Sequence, residues 1–358
     1  MRKGDKQFCF SYSGEDIYLF RLSNSKGTEV CITNYGATII SFTILQKSGF
    51  ANNIVLGFEK VEDYMSDDYL RTYPYFGAAI GRYGNRIKGG TFKLDGNEYS
   101  VAKNLGTDHL HGGNNGLDKR VWNCGDYSSN SLVLSYFSPD GEEGYPGNLF
   151  ITLQFELSEE NDLTYTYSAI TDKATPVNLT HHSYFNLDNG EGNIGNTLLK
   201  INGSSILEQD EHLTVTGNLT EVKNSFYDFR QLKRINADWN PKTGYDQSYV
   251  LDTVNPSSPV AEAYSEKSGL WLQVLTTEPI VHLYTGAGIP AITGSKNKQY
   301  GAFSGFCLET QVHPNAVNIA SFPDTILRPG QTYHQRTVYK VREKNPINSF
   351  NFLSLRSK

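Results

Sequence analysis

The chain alternates. Between Leu149 and Leu157, Leu149, Ile151, Leu153, Phe155 and Leu157 are interleaved with Thr152, Gln154 and Glu156, and Leu163, Tyr165, Tyr167 and Ala169 repeat the same period of two. Residues two apart share one face of a strand, so this pattern predicts an antiparallel meander with one buried face, turning at Ser158-Glu159-Glu160-Asn161-Asp162. Shorter runs carry the signal along the chain. Residues 8–22 and 28–45 read as strand pairs broken by Asn34-Tyr35-Gly36, and Asn53–Phe58 reads as a short apolar run. Phe92-Lys93-Leu94 and Tyr99-Ser100-Val101 flank Asp95-Gly96, a hairpin signal. Leu132-Val133-Leu134, Leu270–Thr276, Ile280–Tyr284 and a final strand marked by Val338 and Val341 extend the series. Residues 59–72, acidic and rich in Tyr, are open to a short helix or a loop. No long run has the helical period, and no linker, repeat or low-complexity segment interrupts the strands. The expectation is an all-β protein, one large antiparallel β-sandwich domain over residues 1–358.

Composition agrees and narrows the partners. Aromatic content is 13%, mostly Tyr and Phe, which favours strands, and 33 glycines suit many turns. A net charge of -6, from 32 basic and 38 acidic residues without a Lys/Arg cluster, argues against a nucleic-acid partner. Cys9, Cys31, Cys124 and Cys307 lack paired spacing, so neither a disulfide framework nor a zinc site is expected. Cys307 reads as a small buried hydrophobe rather than a nucleophile. No stretch approaches the ~20 apolar residues that span a bilayer, so no membrane partner is expected. No apolar segment follows Met1-Arg2-Lys3-Gly4-Asp5-Lys6, so a cytoplasmic chain is expected; a periplasmic chain stripped of its leader would read the same way. Either a monomer or a homodimer is compatible with the sequence.

Candidate chemistry lies in separated segments. Gly305-Phe306-Cys307-Leu308-Glu309-Thr310-Gln311 sets a carboxylate in an apolar strand that stops at His313-Pro314-Asn315. A carboxylate that loses water there is a candidate general base; a strand-end ion pair with an Arg is the plainer alternative. Arg82 and Arg86 lie among the glycines of Gly77–Ile87, where guanidinium forks bind hydroxyl or carboxylate oxygens or sit solvated on a bulge. His109 and His111 would share one face of a strand, but no acidic or Cys partner stands at metal-motif spacing, so no metal is expected. His181 and His182 must point to opposite faces. Asp246 comes just before an apolar strand, and Pro139–Gly147 forms a glycine-rich loop of the kind that carries function on β scaffolds. A carboxylate and a histidine on two sides of a substrate would act as base and acid; spacing alone leaves hydrolase, epimerase and lyase open.

Taken together, ten stretches resemble the aldose 1-epimerase (galactose mutarotase) family. They are Asn34-Tyr35-Gly36-Ala37, Gly81-Arg82-Tyr83-Gly84-Asn85-Arg86-Ile87, Leu110-His111-Gly112-Gly113, Asp140–Gly147 and Asn178–Leu187, followed by Gly244-Tyr245-Asp246, Tyr284-Thr285-Gly286, Leu308-Glu309-Thr310-Gln311, Phe322-Pro323 and Leu327-Arg328-Pro329-Gly330. They run in family order from about residue 28 to 341. The resemblance implies a β-supersandwich and a cofactor-free mutarotase acting on a monosaccharide. It implies Glu309 as catalytic base, His182 as acid and His111 as supporting histidine, with Asn85, Arg86 and Asp246 on sugar hydroxyls. His109, His181 and Arg82 are left with structural roles.

The chain departs from the family pattern at four positions near these motifs. His181 stands where Asn is usual, Gln247 and Ser248 where His and Asn are frequent, and His282 where Gln is common. His282 is accordingly read as a substrate-binding residue that alters which hydroxyls are recognised. Three rivals follow from the same residues. A hexose-6-phosphate mutarotase would want a basic pocket, and no added Arg/Lys cluster is evident. A non-catalytic sugar-binding module would lack the base or the acid, and both are present. A glycosidase needs two carboxylates flanking the bond, for which only Glu309 and Asp246 are candidates.

Overall fold

The alternating meander forms as its pattern predicts: Ser131–Ser138, Leu149–Leu157 and Asp162–Thr171 pair antiparallel in unbroken register. Leu149, Ile151, Leu153, Phe155 and Leu157 are all buried, while Phe150 on the other face is 45% exposed. The computed structural model describes residues 4–255 and 257–344; Met1-Arg2-Lys3 and the C-terminal end of the span expected as one domain lie outside the described residues. Within them the meander lies between the edge strand Asn123–Tyr127 and the rest of a nine-stranded sheet, which continues through Tyr333–Glu343, Leu270–Thr276, Ala261–Tyr264, Leu198–Ile201 and Lys233–Arg234. A five-stranded sheet near the N-terminus runs Asp5–Tyr12, Glu15–Ser23, Glu29–Thr33, Thr38–Leu45 and Ala51–Asn53 in chain order. A second five-stranded sheet orders Val215–Glu221, Ser205–Gln209, Asp246–Val250, Ile280–Tyr284 and Cys307–Gln311. All of these pairings are antiparallel. One buried cluster, from Phe20 to Val341, draws side chains from all three sheets.

The hairpin at 95–96 is also as expected, with Asp95 and Gly96 both at positive φ between Thr91–Leu94 and Asn97–Ser100. The apolar run Asn53–Phe58 differs from expectation. Pairing stops at Asn53, and Ile54 to Phe58 continue as buried chain held by the single bridge Val55 to Phe185. Residues 59–72 resolve into a 3-10 turn, Val61–Met65, and a short helix, Asp67–Thr72. Ser66 caps the helix by accepting from the Tyr69 N–H, and Asp67 and Asp68 place negative charge at its positive end.

Two devices hold the strands that later form the site. The first is behind Cys307–Gln311. Leu308 and Thr310 point into the core, where the Thr310 hydroxyl lies 3.1 Å from the Tyr165 hydroxyl and 2.7 Å from that of Thr337. The Gln335 amide donates to the Thr310 carbonyl at 2.8 Å. Three side chains of the nine-stranded sheet therefore fix the back of this strand. The second device is Arg82, buried at 2% exposure. Its guanidinium donates to the Ser138 hydroxyl and to the carbonyls of Ser138, Pro139, Pro146 and Gly147, at 2.8 to 3.1 Å. The Pro139–Gly147 loop is thereby tied to the chain leading into Asn85 and Arg86, and Arg82 is structural as the sequence implied.

Removing that guanidinium takes a donor from four carbonyls, three of them in buried contacts. Hydrogen bonds to a charged donor contribute about 1.5–3 kcal/mol each, and they are not additive. Arg82→Leu is expected to lower the unfolding free energy by at least about 3 kcal/mol, read from the urea midpoint at unchanged slope.

Candidate active site

The front of the same strand carries the chemistry. Cys307, Glu309 and Gln311 alternate with the core-facing residues and so share the opposite face. Glu309 lies directly across from His282 on Ile280–Tyr284, and His282 lies across from Ser248 on Asp246–Val250. Antiparallel pairing thus lines up Ser248, His282 and Glu309 in one row across three strands. Asp246 joins their face two residues before Ser248.

His182 approaches from the segment after Thr180–His181, which pairs with Ala79–Ile80. Its Nε2 stands 3.6 Å from Glu309 Oε1, and its Nδ1 is 3.5 Å from Cys307 Sγ. Glu309 is 1% and His182 4% exposed. The second Glu309 oxygen, Oε2, is buried and has no hydrogen-bond partner among the described residues. His181 points the other way, against Phe155 and Tyr165, with Nδ1 3.1 Å from the Ser183 hydroxyl. Burial pushes its pKa down to about 3. The adjacent histidines do part to opposite faces.

His111 completes the group by a route that differs from expectation. The strand His109–Leu110 ends before it, and His111 takes a left-handed backbone, φ 51°. The two histidines therefore do not share a strand face. His109 turns to the Ala102 carbonyl and the Tyr145 hydroxyl, while the His111 ring meets that of His182 at 5.3 Å. The turn depends on Gly112, at φ 88°, where a Cβ would lie 1.8 Å from the Gly81 carbonyl oxygen. The Asn85 N–H donates to His111 Nδ1 at 3.2 Å, and the His111 N–H donates back to the Asn85 carbonyl at 3.1 Å. Accepting a backbone N–H at Nδ1 puts the proton of the neutral ring on Nε2.

The rim is polar and half-open. Arg86 and Asp246 are partly exposed, unlike the deeper residues. The Arg86 guanidinium has no ion-pair partner among the described residues, and its Nε is buried without a hydrogen bond. Asp246 Oδ1 accepts from His282 Nε2 at 2.8 Å, and His282 Nδ1 lies 2.8 Å from the Ser248 hydroxyl. All seven residues singled out by the sequence, Glu309, His182, His111, Asn85, Arg86, Asp246 and His282, thus stand along one connected region. Sequence reasoning missed Tyr75, whose ring packs 4.9 Å from His111 and 5.7 Å from His182. It also left Ser248 without a role and gave Cys307 only an inert one, although the thiol touches His182. The Tyr73-Pro74-Tyr75-Phe76-Gly77 stretch, aromatic and bounded by Pro and Gly, was the available signal for Tyr75.

Electrostatics separate the histidines. Burial, and then the positive charge of neighbouring groups, holds His111 well below the usual imidazole range. Burial also lowers His182, with the Glu309 carboxylate opposing that fall. His282 is the exception. Burial works against its charge, but the Asp246 hydrogen bond and the fields of Asp246 and Glu309 outweigh it and raise its pKa. Asp246 is pushed up by burial and pulled down further by His282 and the nearby cations, for a net lowering. As a donor set, His111, His182 and Glu309 offer ligand atoms within 4.8 Å of one another, a grouping able to take a divalent cation. A carboxylate and two imidazoles so placed are also groups suited to proton transfer and hydrogen bonding.

The all-β architecture of large antiparallel sheets is shared with solved galactose mutarotase-like folds. A crystal structure titled galactose 1-epimerase, from Lactobacillus acidophilus NCFM, superposes at TM-score 0.84 with 28% identity, covering 96% of this chain and 100% of that one. The family model described as aldose 1-epimerase matches residues 18–340. Human galactose mutarotase is 40% identical over 316 residues, 87% of this chain and 90% of the relative. The aldose 1-epimerase of Escherichia coli K12 is 32% identical over 336 residues, 91% and 96% of the two chains. The chain belongs to the aldose 1-epimerase family.

The opposed shifts predict distinct titrations in the free protein. By nitrogen-resolved NMR, His111 and His182 are expected to titrate below the ordinary imidazole value of 6.5 and His282 above it. A Cys307→Ser variant, which keeps a polar hydrogen at the His182 contact, is expected to retain most of the activity found for the parent chain in a polarimetric assay.

Proposed function

We propose that the chain is an aldose 1-epimerase, an isomerase that interconverts the α and β anomers of a free hexose by acid–base opening and closing of the ring. The observation that carries the proposal is the 3.6 Å approach of His182 Nε2 to Glu309 Oε1 in a buried setting, with Glu309 Oε2 left unpartnered. The reaction acts on two oxygens bonded to the same anomeric carbon, the hydroxyl oxygen and the ring oxygen. Base and acid must therefore be neighbours, whereas a glycosidase sets its two carboxyl groups on either side of the bond it cleaves.

In this reading Glu309 takes the anomeric hydroxyl proton as the carbonyl forms. The bond from the anomeric carbon to the ring oxygen breaks, and its electron pair goes to the ring oxygen, which takes a proton from His182. Rotation about the C1–C2 bond presents the other carbonyl face. His182 then removes the ring-hydroxyl proton as that oxygen attacks, and Glu309 returns its proton to the anomeric oxygen. Atoms and protons balance, and the pair ends as it began. His111, neutral with a free Nε2–H, would donate to the oxygen that gains charge. Arg86, with donors free, and Asp246 would hold hydroxyls through charge-assisted hydrogen bonds, with Asn85 beside them. His282 would tune that recognition. The reading carries with it a cytoplasmic enzyme, monomeric or homodimeric, acting on a monosaccharide; among the described residues no helix is long and apolar enough to cross a membrane.

Polarimetry of freshly dissolved α-galactose and α-glucose is expected to show accelerated mutarotation, and no acceleration between pH 6 and 8 would refute the proposal. Glu309→Gln and His182→Asn are each expected to lower kcat by about 10²–10⁴, the usual contribution of general acid–base catalysis, while sugar binding stays detectable by calorimetry. For the parent chain kcat/KM should fall as pH rises through the lowered His182 value, where the ring loses the proton it donates.

A further inference from the structure

We infer that Ser248, His282 and Asp246 form a hydrogen-bonded relay that orients the Asp246 carboxylate for the sugar, with Ser248 and His282 acting as positioning residues. The inference rests on the reading above that Asp246 accepts from a sugar hydroxyl. Its own support is geometric. Ser248 and His282 are a directly opposed cross-strand pair, and Asp246 is on the same face two residues from Ser248. Both contacts are 2.8 Å long, and Ser248 is fully buried.

The relay uses both ring nitrogens of His282, Nδ1 on Ser248 and Nε2 on Asp246. The ring has no nitrogen left for a sugar, so its influence on recognition runs through Asp246. One Asp246 oxygen is occupied by the ring; the other remains for ligand, on a side chain 27% exposed at the rim. The serine hydroxyl suits this position because it works in two directions. When His282 is charged, Nδ1–H donates to the hydroxyl oxygen. When it is neutral, the hydroxyl donates to Nδ1 and keeps the ring proton on Nε2, pointed at the carboxylate. Without the hydroxyl, a neutral ring is free to carry its proton on Nδ1. Its Nε2 lone pair would then face the carboxylate, and Asp246 would lose its clamp.

The charged and titratable groups acting on His282 come from every side of the site. Asp246 and Glu309 favour its protonated form, and Arg86, His182 and His111 oppose it. The net effect raises its pKa above 6.5, so the imidazolium is present below that raised value and is lost as pH rises through it. The consequence of removing Ser248 is therefore confined to the basic side.

The test is KM and kcat for galactose mutarotation from pH 6 to 8.5, in the parent chain, Ser248→Ala and Ser248→Thr, with nitrogen-resolved NMR of His282. For Ser248→Ala the KM ratio to the parent should be small where the NMR shows His282 charged and grow to about tenfold where it shows the ring neutral, the loss of one charge-assisted hydrogen bond. Its kcat should change far less than its KM. Ser248→Thr should restore the parent profile. In the parent the neutral His282 ring should carry its proton on Nε2, and in Ser248→Ala the Nδ1-protonated form should appear. A KM ratio that is flat in pH would overturn the relay, as would a parent ring protonated on Nδ1 when neutral. The NMR arm needs only the parent chain, so it decides the matter even if Ser248→Ala does not fold. It also separates the two ideas: a parent chain without mutarotase activity sinks the proposed function, while the ring tautomer still reports on the relay.

Discussion

One strand must serve two environments at once, and the site depends on how that is done. Cys307–Gln311 is buried along its whole length, so alternation alone decides which side chains meet the core and which meet the site. The core side holds Thr310, whose hydroxyl and carbonyl are tied to Tyr165, Thr337 and Gln335 of the nine-stranded sheet. A slip of one residue would bring Thr310 to the site and send Glu309 into the core, at the cost of an unpaired buried carboxylate. The buried hydroxyl network therefore does more than satisfy polar atoms. It fixes the register that puts Glu309 opposite His282 and within reach of His182.

Burial also explains the charge arrangement. A carboxylate and several imidazoles in a water-poor space cannot all be charged. Charge is kept where a partner is at hand, as at Asp246 beside His282. It is given up where none is. His111 meets a backbone N–H at Nδ1, a donor that a charged ring could not accept, and its pKa falls accordingly. Arg86 at the rim has a guanidinium without an ion-pair partner among the described residues, in a place where a ligand's oxygens would supply one. Desolvation and neighbouring charge thus sort three chemically identical imidazoles, pushing His111 and His182 below the ordinary value and His282 above it.

Much of this was legible in the sequence, and the limits have physical causes. Period-two runs such as Leu149–Leu157 and Leu163–Ala169 predict strands because one face must be apolar, and they formed in the expected register. The parting of His181 from His182 follows from the same rule. His109 and His111 broke it because the Gly112 turn forces His111 into a left-handed backbone, which spacing alone does not announce. Convergence was likewise invisible. Nothing local tells that Glu309, His182 and His111, some 70 to 200 residues apart in sequence, meet in space; only the family resemblance implied it. Tyr75 and Ser248 were missed because an aromatic residue in a Pro-Gly stretch and a serine in a strand are commonplace, and their roles come from cross-chain neighbours.

The four departures from the family pattern are sorted by the same alternation. His181 turns to Phe155 and Tyr165, and Gln247 sits on the strand face opposite Ser248, so both are directed away from the row of Ser248, His282 and Glu309. Ser248 and His282 are on that row, and they are each other's partner. Two departures that look independent along the chain, 34 residues apart, are thus one change in space. An imidazole introduced alone at 282 would leave Nδ1 without a fixed partner in a buried site. A hydroxyl opposite it accepts or donates as the ring's protonation demands, at the cost of no added volume beyond a small side chain. Pairing across strands turns a substitution that would otherwise bury an uncertain charge into one with a defined orientation, directed at Asp246.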